Sequence, residues 1–209
     1  MGPRRFSPNP LIYKENKNDK SLKTLKTIFT LPLEIWGHNA YIYTIERNNK
    51  EKNTMIKNIS IFDLDGTIID SSHRQMVKSD GTLDLVKWFE NATAEKIFAD
   101  KVLPLAQQVR KRQKAGDFVM VCTARNMQDA DFEFLQNEGI CPDKIISRPN
   151  GNMEADGVLK AKQLNSFLSL KQFAKANKVM FDDAASVRST LRKIGIAVIN
   201  PEKIARKVA

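Results

Sequence analysis

A chain of 209 residues is long enough for one domain of ordinary size with a small appendage. Its 42% hydrophobic content can build a core, and no apolar run reaches the roughly 18–20 residues of a membrane span, which excludes wholesale disorder and a helical membrane anchor as readings. The formal charge of +10 invites an acidic partner, yet ten basic and five acidic residues precede residue 55 while 24 and 19 follow, so solvated lysines account for the surplus as readily as a polyanion-binding surface.

Residues 1–54 are rich in Lys and Asn and show no sustained period of 3.6 or 2, which predicts a tail or accessory segment with at most a short hairpin or strand. The opening MGPRRFSPNP has no apolar core of a secretory signal. Met55 directly precedes IKNISIFDLDGT, and Lys50-Glu51 can be encoded AAG-GAG, a bacterial ribosome-binding core three codons upstream of it. Two expectations therefore stand for this segment. It is a translated leader ahead of a domain spanning 55–209, or its apolar patch, including Ile35, Trp36 and Tyr41–Ile45, docks on the domain or on a partner.

From Asn58 onward, short and almost continuously apolar runs alternate with amphipathic stretches. The runs Ile59–Phe62, Phe118–Cys122, Lys144–Ile146, Val179–Phe181 and Ile196–Ile199 read as parallel strands buried on both faces. Helices are predicted over Leu103–Lys114, Asp129–Glu138, Leu159–Phe173 and Ser186–Lys193, and Gly116, Gly139 and Gly195 suit the ends of three of them. The segment of about 70–100 holds LDLVKWFENATAEKIF, which predicts one or two short helices and a minimal cap insert. The alternation implies a Rossmann-like α/β/α domain with a mainly parallel sheet. Cys122 and Cys141 show no CxxC or disulfide spacing and read as reduced thiols of a cytoplasmic protein.

The chemistry concentrates in IFDLDGTIID, residues 61–70, where a buried strand runs into Asp63, Asp65, Gly66 and Thr67. Ligands of open α/β sheets bind at the carboxyl ends of strands. Two carboxylates brought together there are costly without a cation, and a hard divalent ion, Mg2+ above all for phosphate chemistry, relieves the cost. His38 and His73 have no metal-ligand spacing and read as surface or packing residues.

DLDGT followed by a later Asp-Asp pair resembles the haloacid dehalogenase superfamily of aspartate-nucleophile phosphatases, over about residues 57–200. That resemblance implies Asp63 as nucleophile and Asp65 as general acid and then base, with the Asp65 carbonyl as a metal ligand. It implies Thr123, in VCTAR, as the hydroxyl that grips the phosphoryl group, and Lys160 as the neutralising lysine, with Lys162 the alternative. Asp182 and Asp183 match the pair that holds Mg2+ together with Asp63. The stretch RPNGNMEADGVLK, 148–160, looks like a loop of the phosphatase domain of phage-type polynucleotide kinase/phosphatases. By that likeness Arg125 and Arg148 are candidates to bind substrate phosphate, as guanidinium groups do well. This chain departs from that pattern in carrying Ala184 after the acidic pair, and no GxxxxGK[ST] loop of a kinase half occurs in it. The expectation is a Mg2+-dependent phosphomonoester hydrolase acting on nucleic-acid 3′-phosphate ends or nucleotides. The alternatives are a 5′(3′)-nucleotidase, a small-metabolite phosphatase, a phosphotransferase sharing the covalent intermediate, and a non-catalytic basic nucleic-acid-binding protein. No protein partner is inferable.

Overall fold

The computed structural model of the protein describes residues 56–205, so the expectations for residues 1–54 lie outside the described residues. In chain order the elements are β1 (Asn58–Phe62), β2 (Ile69–Asp70), a 3-10 turn at Ser72–Arg74, α1 (Leu85–Glu90), α2 (Ala94–Phe98), β3 (Lys101–Val102), α3 (Ala106–Lys114) and β4 (Phe118–Cys122). There follow α4 (Asp129–Asn137), β5 (Lys144–Ile146), α5 (Asp156–Leu168), β6 (Asn177–Phe181), α6 (Ala185–Lys193), β7 (Ala197–Ile199) and α7 (Glu202–Ala205).

Five strands pair in the order β5-β4-β1-β6-β7, and every pairing is parallel. Successive strand residues point to opposite faces of a sheet. The two faces here are both dry. Phe62, Val119, Val121 and Phe181 join Val109 of α3 and Phe134 and Leu135 of α4 in one apolar cluster. Ile59, Ile61, Met120, Cys122 and Met180 join Leu164 of α5 and Val187 and Leu191 of α6 in the other. This is why the strands read as unbroken apolar runs rather than as alternations, and why the α/β/α reading of the sequence holds. Among the described residues, no helix is long and apolar enough to cross a membrane.

The strands fall close to their predicted positions, and helix boundaries move. Residues Leu103–Leu105 form a turn ahead of α3, and α5 runs from Asp156 to Leu168 instead of Leu159 to Phe173. A helix-weakening glycine, Gly157, stands in its first turn because α5 packs tightly on α6 there. A Cβ at Gly157 would lie 2.9 Å from Thr190 Oγ1 and 3.2 Å from Thr190 Cβ. The insert contains two short helices, α1 and α2, capped by Asp84 and Thr93, within the one or two expected.

Gly157→Ala supplies a test of this packing. In an open helix the change would gain roughly 0.5–1 kcal/mol. Here overpacking against Thr190 outweighs that gain, and chemical denaturation should show a net loss of about 1–3 kcal/mol. A stabilised variant would show that α5 and α6 do not approach so closely.

Candidate active site

β1 ends by handing its ladder to the catalytic-looking loop: the Asp63 amide donates to the Phe181 carbonyl at 2.9 Å. The chain then turns, with the amides of Thr67, Ile68 and Ile69 all donating to the Leu64 carbonyl. Gly66 takes φ +71°, and a Cβ there would sit 2.6 Å from Asp183 Oδ2, so the position needs glycine on both counts. Thr67 Oγ1 donates to Asp183 Oδ1 at 3.2 Å and ties the loop to the end of β6.

Because β1 and β6 are neighbours in register Phe62↔Phe181, the residues that follow, Asp63 and Asp182, emerge side by side. Lys160 of α5 enters between them, its Nζ 2.7 Å from Asp63 Oδ1 and 2.8 Å from Asp182 Oδ2, with the lysine only 2% exposed. Both carboxylates hold the Lys160 ammonium above its ordinary range, against burial, which acts to lower it. Lys162, the alternative lysine, is exposed and pairs with Glu154.

Asp63, Asp182 and Asp183 each offer a carboxylate oxygen within 4.8 Å of the others. With Lys160 the group sums to a net charge of −2. Burial raises the Asp63 carboxyl to about 7, Lys160 opposing and Asp182 adding to the effect. Desolvation and the charge of Asp182 also push Asp183 up. Three crowded all-oxygen donors whose charges are incompletely matched suit a hard divalent cation.

Asp65 lies in a different environment. Burial would raise it, but the charge and hydrogen bonds of Arg125, with a bond from Ser71 Oγ at 2.5 Å, hold its carboxyl below the ordinary range. Arg125 Nε reaches Asp65 Oδ2 at 3.1 Å and Nη2 grips Asp65 Oδ1, a bidentate pairing. The same guanidinium donates to Asp131 Oδ1 at 2.6 Å and to Asp100 Oδ2 at 3.2 Å. Asp100 also receives Arg74 Nε and Nη2 at 2.9 and 3.0 Å, and Arg74 lies over the Trp88 ring, 4.3 Å from its centroid. The buried Arg74 Nη1 has no hydrogen bond, and the ring offers the guanidinium as a whole a cation–π contact.

Thr123 is buried at the end of β4, its Oγ1 accepting from the Arg125 amide at 3.0 Å. Arg148 is buried too and is spent largely on its own surroundings. It donates to the carbonyls of Ala124, Asn152 and Glu154 and to Asp156 Oδ1, bracing the loop that leads into α5. Arg125 and Arg148 therefore border the site with most of their donors already engaged. Asp63, Asp65, Thr123, Arg125, Arg148, Lys160 and Asp183 nevertheless all line one cavity of about 270 Å³. Buried Asp182 lies behind Lys160 rather than on its wall.

Sequence reasoning missed Arg74, Asp100, Asp131, Ser71 and Trp88. All but Asp131 lie in or beside the insert, and the only visible signal was a tryptophan and charged residues in an otherwise amphipathic stretch. Cys122 is buried in β4, its thiol pushed up to about 12 by burial, and Cys141 is exposed; both are free. His73 approaches the Lys96 carbonyl at 3.0 Å, away from the acidic cluster.

The five-stranded parallel sheet has the fold of the haloacid dehalogenase-like hydrolases. Such a hydrolase from Streptococcus pneumoniae superposes with a TM-score of 0.51 at 14% identity, covering 70% of this chain and 85% of that one. A chain of the Pnkp1/Rnl/Hen1 complex superposes with a TM-score of 0.50 at 21% identity, covering 71% and 47%. The chain belongs to the Bacteriophage T5 5′-deoxynucleotidase family, whose profile matches residues 48–208. The 5′-deoxynucleotidase of Escherichia phage T5 is 38% identical over 89 residues, 41% of this chain. The match spans 36% of that relative's length.

Two outcomes follow from the electrostatics. Asp63 has a folded pKa of about 7 against 3.8 unfolded, so the stability linked to its proton is full below about pH 4 and lost as pH rises through about 7. In chelator at pH 8, Asp63→Asn should therefore melt higher than the parent, and the gap should close toward pH 5. A lower melting temperature at pH 8 would show that Lys160 needs both partners more than the carboxylates repel. Asp100→Ala strands Arg74 as a buried cation while Arg125 keeps Asp65 and Asp131, and denaturation should register a loss of about 3–5 kcal/mol. A loss below about 1 kcal/mol would show that water replaces Asp100.

Proposed function

We propose that this protein is a Mg2+-dependent phosphomonoester hydrolase that acts through an aspartyl-phosphate on Asp63, with deoxynucleoside 5′-monophosphates as substrate class. The observation that carries the reading is the Asp63–Lys160–Asp182–Asp183 cluster opening on one cavity, in a chain of the 5′-deoxynucleotidase family. Nucleotides take precedence here over polynucleotide 3′ ends, because the likeness to the Pnkp1/Rnl/Hen1 chain speaks only for the fold.

In this reading the Asp63 carboxylate attacks phosphorus in line, forming an acyl-phosphate as the bond to the leaving alkoxide breaks. Lys160 lies against Asp63 Oδ1, so it neutralises both nucleophile and transferring group in a site where charge is little screened. Thr123, with its hydroxyl already oriented by the Arg125 amide, donates to a phosphoryl oxygen. Asp65 protonates the departing 5′ oxygen and then takes a proton from the water that hydrolyses the acyl-phosphate. The arriving phosphate charge raises the carboxyl that Arg125 holds low, so substrate binding itself favours the proton Asp65 must carry. Asp63, Asp183, Asp182 and the Asp65 carbonyl would hold Mg2+, which supplies charge stabilisation for the equatorial phosphoryl oxygens. Arg125 and Arg148 act through other groups: Arg125 orients Asp65, and Arg148 braces the 148–156 loop.

A panel of deoxynucleoside 5′- and 3′-monophosphates, ribonucleotides and DNA with 3′- or 5′-phosphate ends, with and without Mg2+, tests this. Deoxynucleoside 5′-monophosphates should give the highest kcat/KM, and Asp63→Asn should lower turnover by at least roughly 10³-fold, about 4 kcal/mol of barrier. Near-normal turnover in a deamidation-free variant would remove Asp63 as nucleophile. Preference for phosphorylated DNA ends would return the polynucleotide reading to first place.

A further inference from the structure

The cavity has two kinds of lining. Asp63, Asp65, Thr123, Lys160 and Asp183 account for the phosphate end, and the remaining large apolar lining, Leu83, Leu85 and Trp88, comes entirely from the insert. Apolar surface serves neither a phosphate nor sugar hydroxyls. Leu83 and Leu85 are only half-buried, which leaves their side chains within reach of an occupant of the cavity. We propose that Leu83 and Leu85, lining the cavity with Trp88, form a wall for the nucleobase of a single deoxynucleotide; this rests on the nucleotidase reading above.

Size and rigidity both favour that occupant. A cavity of about 270 Å³ stands just below the usual range of ligand pockets, which run from roughly 300 Å³ upward, and so holds about one small molecule. The wall is preformed. Val77 bridges Leu83 in an antiparallel pair, the Lys78 amide donates to Thr82 O at 2.8 Å, and the Asp84 amide donates to Met76 O at 2.8 Å. Asp80 closes the hairpin tip through Thr82, and Asp84 caps α1 by accepting from the amides of Val86 and Lys87. Trp88 is clamped from behind by Arg74. A planar base joined through the sugar to the phosphate supplies the apolar face such a wall would cover.

The test compares thymidine 5′-monophosphate with 2-deoxyribose 5-phosphate, which carries the same phosphate and sugar without a base. In the full-length wild type, kcat/KM for the nucleotide should exceed that for the sugar phosphate by at least about 10-fold, a readout that needs no variant. Leu83→Ser or Leu85→Ser should cut this ratio about 10-fold, through KM for the nucleotide, while Leu85→Met should keep it within about threefold. A wild type that turns over both compounds equally overturns the wall and leaves the phosphatase reading standing. So does a ratio unmoved in both serine variants whose melting matches the parent. A wild type inactive on both compounds and on the wider nucleotide panel overturns the nucleotidase reading, and the wall falls with it.

Discussion

One buried ammonium sets the arrangement of the site. Parallel pairing of β1 and β6 in register forces Asp63 and Asp182 to emerge as neighbours from the dry centre of the sheet. Two carboxylates in that position would repel, and an isolated buried charge is costly. Lys160 meets both, within 2.8 Å of each, and in doing so fixes where α5 must lie. Gly157 lets its helix lie close against α6. The sheet register, the helix packing and the charge cluster are therefore one constraint seen at three scales. One lysine cannot neutralise Asp63, Asp182 and Asp183, and the uncompensated charge is what a divalent cation would take up.

The two acids of the DxD segment show how environment divides identical side chains. Asp63 faces the Lys160 cluster, and burial raises it to about 7; Asp65, two residues on, faces Arg125 and Ser71 and is held below the ordinary range. A pair of carboxyl groups pushed apart in this way is the usual mark of a site in which they have different duties. In the proposed division the nucleophile is the raised group and the proton carrier the lowered one, so the duties call for a cation at the Asp63 cluster and for substrate charge beside Asp65. The raised group has the greater need of a cation to be anionic at neutral pH, and it is the one that belongs to the acidic cluster.

What could be read from sequence follows local pattern. Strands buried on both faces declare themselves as apolar runs, and Asp63, Thr123 and Asp182 each sit just past the end of one. Lys160 against Lys162 was not decidable from spacing. The distinction is that one lysine meets two carboxylates across the fold, and the other a surface glutamate. The partners of Arg125 were invisible for the same reason: Asp65 lies 60 positions away and Asp100 lies 25, with no periodicity linking them. An arginine beside a predicted phosphate site was naturally assigned to phosphate, since guanidinium binds phosphates and carboxylates with the same fork. α5 starts at Asp156, ahead of its predicted start at Leu159, although Gly157 weakens an isolated helix, because this helix is packed against its neighbour there.

The insert between β1 and β4 has two tasks that explain why so small an element suffices. Its far end supplies Asp100, which joins Arg74 to Arg125 and through Arg125 to Asp65. Its near end supplies Leu83 and Leu85, and Trp88 between these ends lies against both arginines, 4.3 Å and 5.6 Å from its ring centroid. The residues proposed to meet the base and the carboxyl proposed to carry the proton are thus joined through one buried set of ion pairs and ring contacts. Such a network is stiff, because its buried charges are held by one another. A large cap domain gains precision by closing over its substrate. An insert of this size gains it by being built already closed around Arg74 and Trp88, so that the position of the proposed nucleotide and the orientation of Asp65 would be set together.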